Sequence, residues 1–280
     1  MSSARRFAQV DVFSPRPYLG NPVAVLVDAE GLSDEEMRRV ARWTNLSETT
    51  FLLAPRHAEA DYRVRIFTPN GELPFAGHPT LGSARAWFDG GGSPRRPGLM
   101  VQECEAGLVE VRTDGDMLFF AAPELRRSAP LGEERLDVIL TALDLPRERV
   151  VDHRLLDNGP EWAVLRLPAA EDVLALEPDL NWIPDALVGA VGPYPDGSPH
   201  AFEIRAFAPG IDVPEDPVTG ALNASVAQWF ASIGAAPSRY TVSQGRRLGR
   251  AGEVAIEVTE DSTVWVGGQA NICFTGTAYA

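Results

Sequence analysis

The sequence predicts an α+β fold built as two pseudo-symmetric domains, and three observations carry that reading. A chain of 280 residues exceeds one ordinary hydrophobic core and suits two. Its apolar residues fall mostly in short alternating runs, with few helical stretches between them. A signature in the first half, Arg65-Ile-Phe67-Thr-Pro69, returns 140 residues later as Arg205-Ala-Phe207-Ala-Pro209.

The elements follow in order. Residues 7–13 alternate as a strand, a Pro/Gly-rich loop follows, and residues 23–27 form a second strand. Ser33 with Glu36 three residues on makes a capping box, Leu32 is placed as its staple, and Met37, Val40 and Ala41 set one helix face ending near Asn45. Residues 49–53 and 62–67 are strands. Two prolines and two glycines make 67–77 a loop, after which 80–88 reads as helix with Pro79 in its first turn. A flexible loop at 89–97 leads to strands at 99–103, 108–113 and 117–121, the last two joined at Asp114-Gly115. Residues 123–130 are the expected linker.

In the second half, helices are expected over 133–143 and 170–176. Strands are expected over 150–156, 162–167, 201–207, 254–258 and 262–266. The repeat continues past the signature. Pro74 pairs with Pro214 at the same spacing, and Gly77-His78-Pro79-Thr80 and Asp216-Pro217-Val218-Thr219-Gly220 fall in similar places before helices ending in Trp87-Phe88 and Trp229-Phe230. The domains are accordingly 1–122, with the C-terminal strand 270–280 a candidate to complete it, and 123–269. A duplication, as against two unrelated strand–loop–helix units alike only in composition, also predicts two loop–helix junctions facing a cleft, each presenting N–H groups and a positive dipole end to an anion.

Composition narrows the function. With 25 Lys and Arg against 39 Asp and Glu, the net charge of −14 disfavours nucleic acid and anionic membranes as partners. A small anionic substrate needs only a local site. Two cysteines, Cys104 and Cys273, make no disulfide framework, and four scattered histidines make no metal-ligand pattern. The first residues alternate instead of running apolar, and no run spans a bilayer, so the expected location is the cytoplasm. No dinucleotide fingerprint, nucleophile elbow or Cys–His pair occurs, so no cofactor is expected.

The chemistry left is proton transfer at carbon, and three residues could carry it. Glu48 lies between an amphipathic helix and an apolar strand, where partial desolvation would make it a better base; it reads equally as a cap for nearby N–H groups. His78 stands at a helix start, as a functional group or as a satisfied structural histidine. Asp216 precedes Pro217 and is a good N-cap as well as a candidate acid.

At these residues the chain resembles the phenazine-biosynthesis (PhzF-like) isomerases. The motifs are Asp11-Val-Phe13 with Gly20-Asn21-Pro22, Asn45-Leu-Ser-Glu48-Thr-Thr-Phe51, Phe67-Thr-Pro69 and Glu72-Leu-Pro74-Phe-Ala-Gly77-His78-Pro79-Thr80-Leu-Gly82. They continue with Asp216-Pro217-Val-Thr219-Gly220, Ser243-Gln-Gly245 and Val266-Gly-Gly268-Gln269. The resemblance implies a diaminopimelate epimerase-like fold, each lobe a mixed sheet or barrel wrapped around a central helix, and a cofactor-free isomerase, commonly homodimeric. It implies that Glu48 shuttles a proton from C3 to C1 of trans-2,3-dihydro-3-hydroxyanthranilate, assisted by His78 and Asp216. Asn21, Gly77, Thr219, Gly220 and Ala221 would line the substrate pocket. Ala221 stands where the family usually has serine, which puts the substrate, more than the reaction, in question. Two-thiol epimerisation is disfavoured because neither cysteine lies in these motifs; a ligand-binding protein that has lost catalysis is the remaining alternative.

Overall fold

The computed structural model describes residues 3–280. The chain divides into two compact units, residues 1–121 with 267–280, and residues 122–266.

The first unit begins with strands β1 (Ala4–Val12) and β2 (Asn21–Leu26), helix α1 (Asp34–Thr44), and strands β3 (Thr49–Leu53), β4 (Tyr62–Phe67) and β5 (Glu72–Leu73). Helix α2 (Gly77–Asp89) and strands β6 (Leu99–Cys104), β7 (Gly107–Asp114) and β8 (Met117–Ala121) follow. The capping box forms as expected, with Ser33 Oγ accepting from the Glu36 N–H and Glu36 accepting from the Ser33 N–H. Two expectations shift. Residues 67–77 contain the short strand β5, paired with Ile66 and Phe67. Helix α2 begins three residues earlier than expected, because Pro79 fits its first turn and no N–H is lost from the interior.

Strand β2 pairs parallel with β3, β4 parallel with β6, and the remaining neighbours antiparallel. The last strand of the chain, β17 (Val264–Tyr279), pairs with β1 along residues 270–279 and also with β8. That closes an eight-stranded barrel of β1, β2, β3, β4, β6, β7, β8 and β17. Helix α2 packs against six of those strands. Its residues 77–84 are all buried, so it is enclosed around its whole circumference and lacks the one-sided pattern of a surface helix. Gly82 is required where it passes closest: a Cβ there would stand 2.3 Å from Val23 Cγ1.

The second unit contains β9 (Arg127–Ala129), α3 (Glu133–Ala142), β10 (Asp152–Asp157), β11 (Glu161–Arg166), α4 (Ala170–Ala175) and β12 (Val188–Pro193). It continues with β13 (Phe202–Ala208), β14 (Val213–Asp216), α5 (Gly220–Ser232), β15 (Arg239–Gln244) and β16 (Gly252–Val258). The sheet runs β9-β10-β11-β12-β13-β15-β16, again parallel at β11–β12 and β13–β15. Strand β9 lies inside the expected linker, which is a correction: Arg127 to Ala129 pair with Asp157 to Leu155.

The repeat is exact in pairing. Tyr62 opposes Gln102 in the first unit, and Phe202 opposes Val242 in the second, each 140 residues on. Arg65 grips Glu72 through Nε and a terminal nitrogen at 2.7 and 2.5 Å, and Arg205 grips Glu215 the same way at 2.8 Å. Each guanidinium also lies over a strand phenylalanine, Phe67 or Phe207, at about 5 Å. The two glutamates are 143 residues apart, because the second hairpin carries a longer turn around Pro209–Ile211. Pro74 therefore corresponds to Pro217 and not, as the sequence spacing suggested, to Pro214. Helices α2 and α5 start at corresponding glycines, Gly77 and Gly220. Among the described residues, no helix is long and apolar enough to cross a membrane.

Candidate active site

In the first unit, local hydrogen bonds bring Glu48 to His78. Asn45 ends α1 in the left-handed region (φ 53°), turning the chain back toward β3. Thr44 and Thr49 join hydroxyls across that turn at 2.7 Å, which fixes Glu48 at its tip. Ser83 of α2 donates to Thr50 of β3 at 2.9 Å, pinning the helix beside the same strand. A second loop brings Asn21. The buried Asp11 carboxylate accepts the N–H groups of Leu19 and Gly20, and a Cβ on Gly20 would collide with the Val12 carbonyl at 2.1 Å.

The outcome is a buried polar group of Asn21, Glu48 and His78 at the start of α2, whose first residue is Gly77. Glu48 Oε2 lies 3.2 Å from His78 Nε2, a close approach without the alignment of a hydrogen bond. Asn21 Nδ2 lies 3.4 Å from His78 Nδ1, and Ser47 Oγ donates to Asn21 Oδ1 at 3.5 Å. Nδ1 of the ring thus meets the Asn21 amide, and Nε2 faces Glu48. Burial pushes His78 down to about 3, against the opposing pull of a hydrogen bond to the Pro22 carbonyl. The imidazole is thus neutral at ordinary pH. A neutral imidazole can orient the carboxylate without the full charge that would weaken it as a base. Helix α2 has no side-chain cap at Ala76, so its first-turn N–H groups stand as donors for an anion.

In the second unit, Asp216, Thr219, Gly220 and Ala221 gather at the start of α5. Thr219 occupies the N-cap position but does not cap the helix; its hydroxyl donates to Asp216 Oδ2 at 2.6 Å. The Ala221 carbonyl accepts from Asn158 Nδ2 at 3.0 Å. In the corrected register, His78 corresponds to Ala221 and Asp216 to Leu73. The two motifs thus fall in similar places without His78 and Asp216 being equivalent, and equivalent backbone places carry different chemistry.

Sequence reasoning passed over four residues here. Ser47 and Asp11 carry no functional signature of their own, and Asn158 lies in none of the quoted motifs. Gln244 stood in a quoted motif with no role assigned. Cys104 and Cys273 lie on β6 and β17, outside both groups, and burial pushes both thiols up. Among the described residues, no three His, Cys, Asp or Glu side chains stand together as a metal-ligand set. Three surface cavities of the first unit, of about 330 to 590 Å³, contain none of the expected site residues, so shape alone does not locate the chemistry.

Comparison with known proteins identifies the family. The sequence profile of the PhzC-PhzF family, described as phenazine biosynthesis-like protein, matches residues 10–276. The chain is 39% identical to antisense-enhancing sequence 1 of Schizosaccharomyces pombe over 98% of each chain. It is 34% identical to the trans-2,3-dihydro-3-hydroxyanthranilate isomerase of Pseudomonas aeruginosa, covering 95% of this chain and 99% of that one. The crystal structure of a PhzF-family phenazine biosynthesis protein from Bacillus anthracis shares the fold, with a TM-score of 0.82 at 21% identity over 99% of this chain and all of the other. The chain belongs to the PhzC-PhzF family of phenazine biosynthesis-like proteins, and it is an isomerase.

Proposed function

We propose that this isomerase moves a proton between two carbons of a small unsaturated cyclic amino acid, of the trans-2,3-dihydro-3-hydroxyanthranilate kind, without a cofactor. Glu48 is the base. It takes the proton from a C–H bond, and the electron pair left behind enters the conjugated system, shifting a double bond. The Glu48 carboxylic acid then returns the proton to a second carbon, so atoms and electrons balance with nothing oxidised or reduced. His78 orients Glu48, and the N–H groups at the start of α2 favour the developing negative charge; the family resemblance assigns to Asp216 the handling of protons on the substrate's polar groups.

The observation carrying this reading is the buried Glu48 carboxylate held 3.2 Å from an imidazole that burial keeps neutral. The named activity of the Pseudomonas aeruginosa relative supports the substrate class. Ala221 supports a substituent different from the one a serine hydroxyl would bind. Purified protein, stripped with chelator, should consume trans-2,3-dihydro-3-hydroxyanthranilate or another member of a panel of dihydro amino acids. Glu48→Gln should lower that rate by roughly 10²–10⁴-fold while leaving the fold intact. Undiminished turnover by the variant, or turnover restored only by added metal, would overturn the proposal.

A further inference from the structure

The side chain of Gln244, at the end of β15, is fully buried and makes four hydrogen bonds. Its Nε2 donates to the Asp216 carbonyl at 3.1 Å and to Thr219 Oγ1 at 2.9 Å. Its Oε1 accepts from the Thr219 N–H at 3.0 Å and from Asn223 Nδ2 at 2.9 Å. A primary amide has two N–H donors and two lone pairs, so its capacity is full. Turned over, the amide would set donors against the Thr219 N–H and an acceptor against the Asp216 carbonyl. The orientation is therefore fixed.

The consequence falls on Thr219. Its oxygen receives a proton from Gln244, so its own proton must point elsewhere, and Asp216 Oδ2 stands 2.6 Å away. A one-way chain results, from Gln244 N–H to Thr219 O–H to the Asp216 carboxylate. The same contacts hold the backbone at both ends of the turn between β14 and α5, since Gln244 bonds the Asp216 carbonyl and the Thr219 N–H together.

We infer that Gln244 is a positioning residue that sets the direction of the Thr219 hydroxyl and thereby holds and orients the Asp216 carboxylate; its effect on turnover rests on the function proposed above. A glutamate at 244 has no N–H to give. Thr219 would then turn its proton to Glu, and Asp216 would lose its O–H donor. An O–H donor favours a carboxylate's charged form, so the Asp216 midpoint should rise when that donor is lost.

The test is the titration of isotope-labelled aspartate carboxyls by NMR, with the Asp216 signal assigned from its loss in Asp216→Asn. Thr219→Val should raise the Asp216 midpoint by about one pH unit. Gln244→Glu should raise it as well, through both its new charge and the lost hydroxyl bond. Placed on Thr219→Val, the same change should raise it distinctly less, because only the charge remains. Equal shifts in the two backgrounds would overturn the inference. So would an unmoved midpoint in Thr219→Val, which decides the matter if Gln244→Glu does not fold. With a substrate in hand, Gln244→Glu should lower kcat about tenfold or more with KM little changed. A wild type that turns over nothing would sink the proposed function, while the titration would still decide this inference.

Discussion

Burial keeps His78 neutral down to about pH 3, whereas the same side chain in the unfolded protein takes a proton near pH 6.5. The unfolded state therefore binds more protons as pH falls, and stability is lost with it. This contribution is fully present above about pH 6.5 and drains away toward pH 3, at about 1.4 kcal/mol per pH unit. Between pH 7 and pH 5 the loss assignable to His78 is about 2 kcal/mol. Urea unfolding at the two pH values should show that loss in the wild type and a distinctly smaller one in His78→Asn. Equal losses in the two proteins would show that His78 is not the group being charged. In the proposed reaction the same burial suits His78 to its place beside Glu48, because a charged imidazole would clamp the carboxylate.

The corresponding hairpins β4–β5 and β13–β14 contain the same Arg–Glu clasp in different surroundings. Arg65 and Glu72 are each a little over one-fifth exposed, whereas Arg205 and Glu215 are 4% and 12% exposed. Removing one partner of a buried pair leaves the other charge uncompensated at a cost of about 3–5 kcal/mol, and solvent softens that cost at the more exposed clasp. Glu215→Met should accordingly lower the urea midpoint more than Glu72→Met; the reverse order would contradict this account. The elements themselves were legible to differing degrees. The ends of α1 could be read because Ser33 and Glu36 form a local capping box, and β3 and β4 because their β-branched and alternating residues need no tertiary context. Strand β12 was missed because Val188-Gly-Ala-Val-Gly-Pro193 carries the glycines and proline of a loop, and only its central place in the sheet makes it strand. Strand β9 was read as linker because three residues hold no period.

At the scale of the whole molecule, the duplication was visible from one signature, but its register was not. A turn three residues longer in the second copy breaks the spacing, and only the Arg–Glu clasps reveal where it resumes. The barrel of the first unit also needs a strand from the far end of the chain, a pairing that composition and periodicity cannot specify. Of the site, the residue types and motifs were legible, while Glu48 and Asp216 read equally as caps for nearby N–H groups. The Glu48–His78 contact and the Gln244 network were not, because both depend on side chains distant in sequence meeting inside a core. Duplicated backbone with unlike residues at like places suits a reaction in which one carboxylate carries the proton. The decisive measurement is a turnover in ordinary water of trans-2,3-dihydro-3-hydroxyanthranilate bearing deuterium at C3. The wild type should deliver part of that label to C1, and Glu48→Gln should neither move it nor turn the substrate over. Label transfer at the wild-type rate in Glu48→Gln would contradict the central claim.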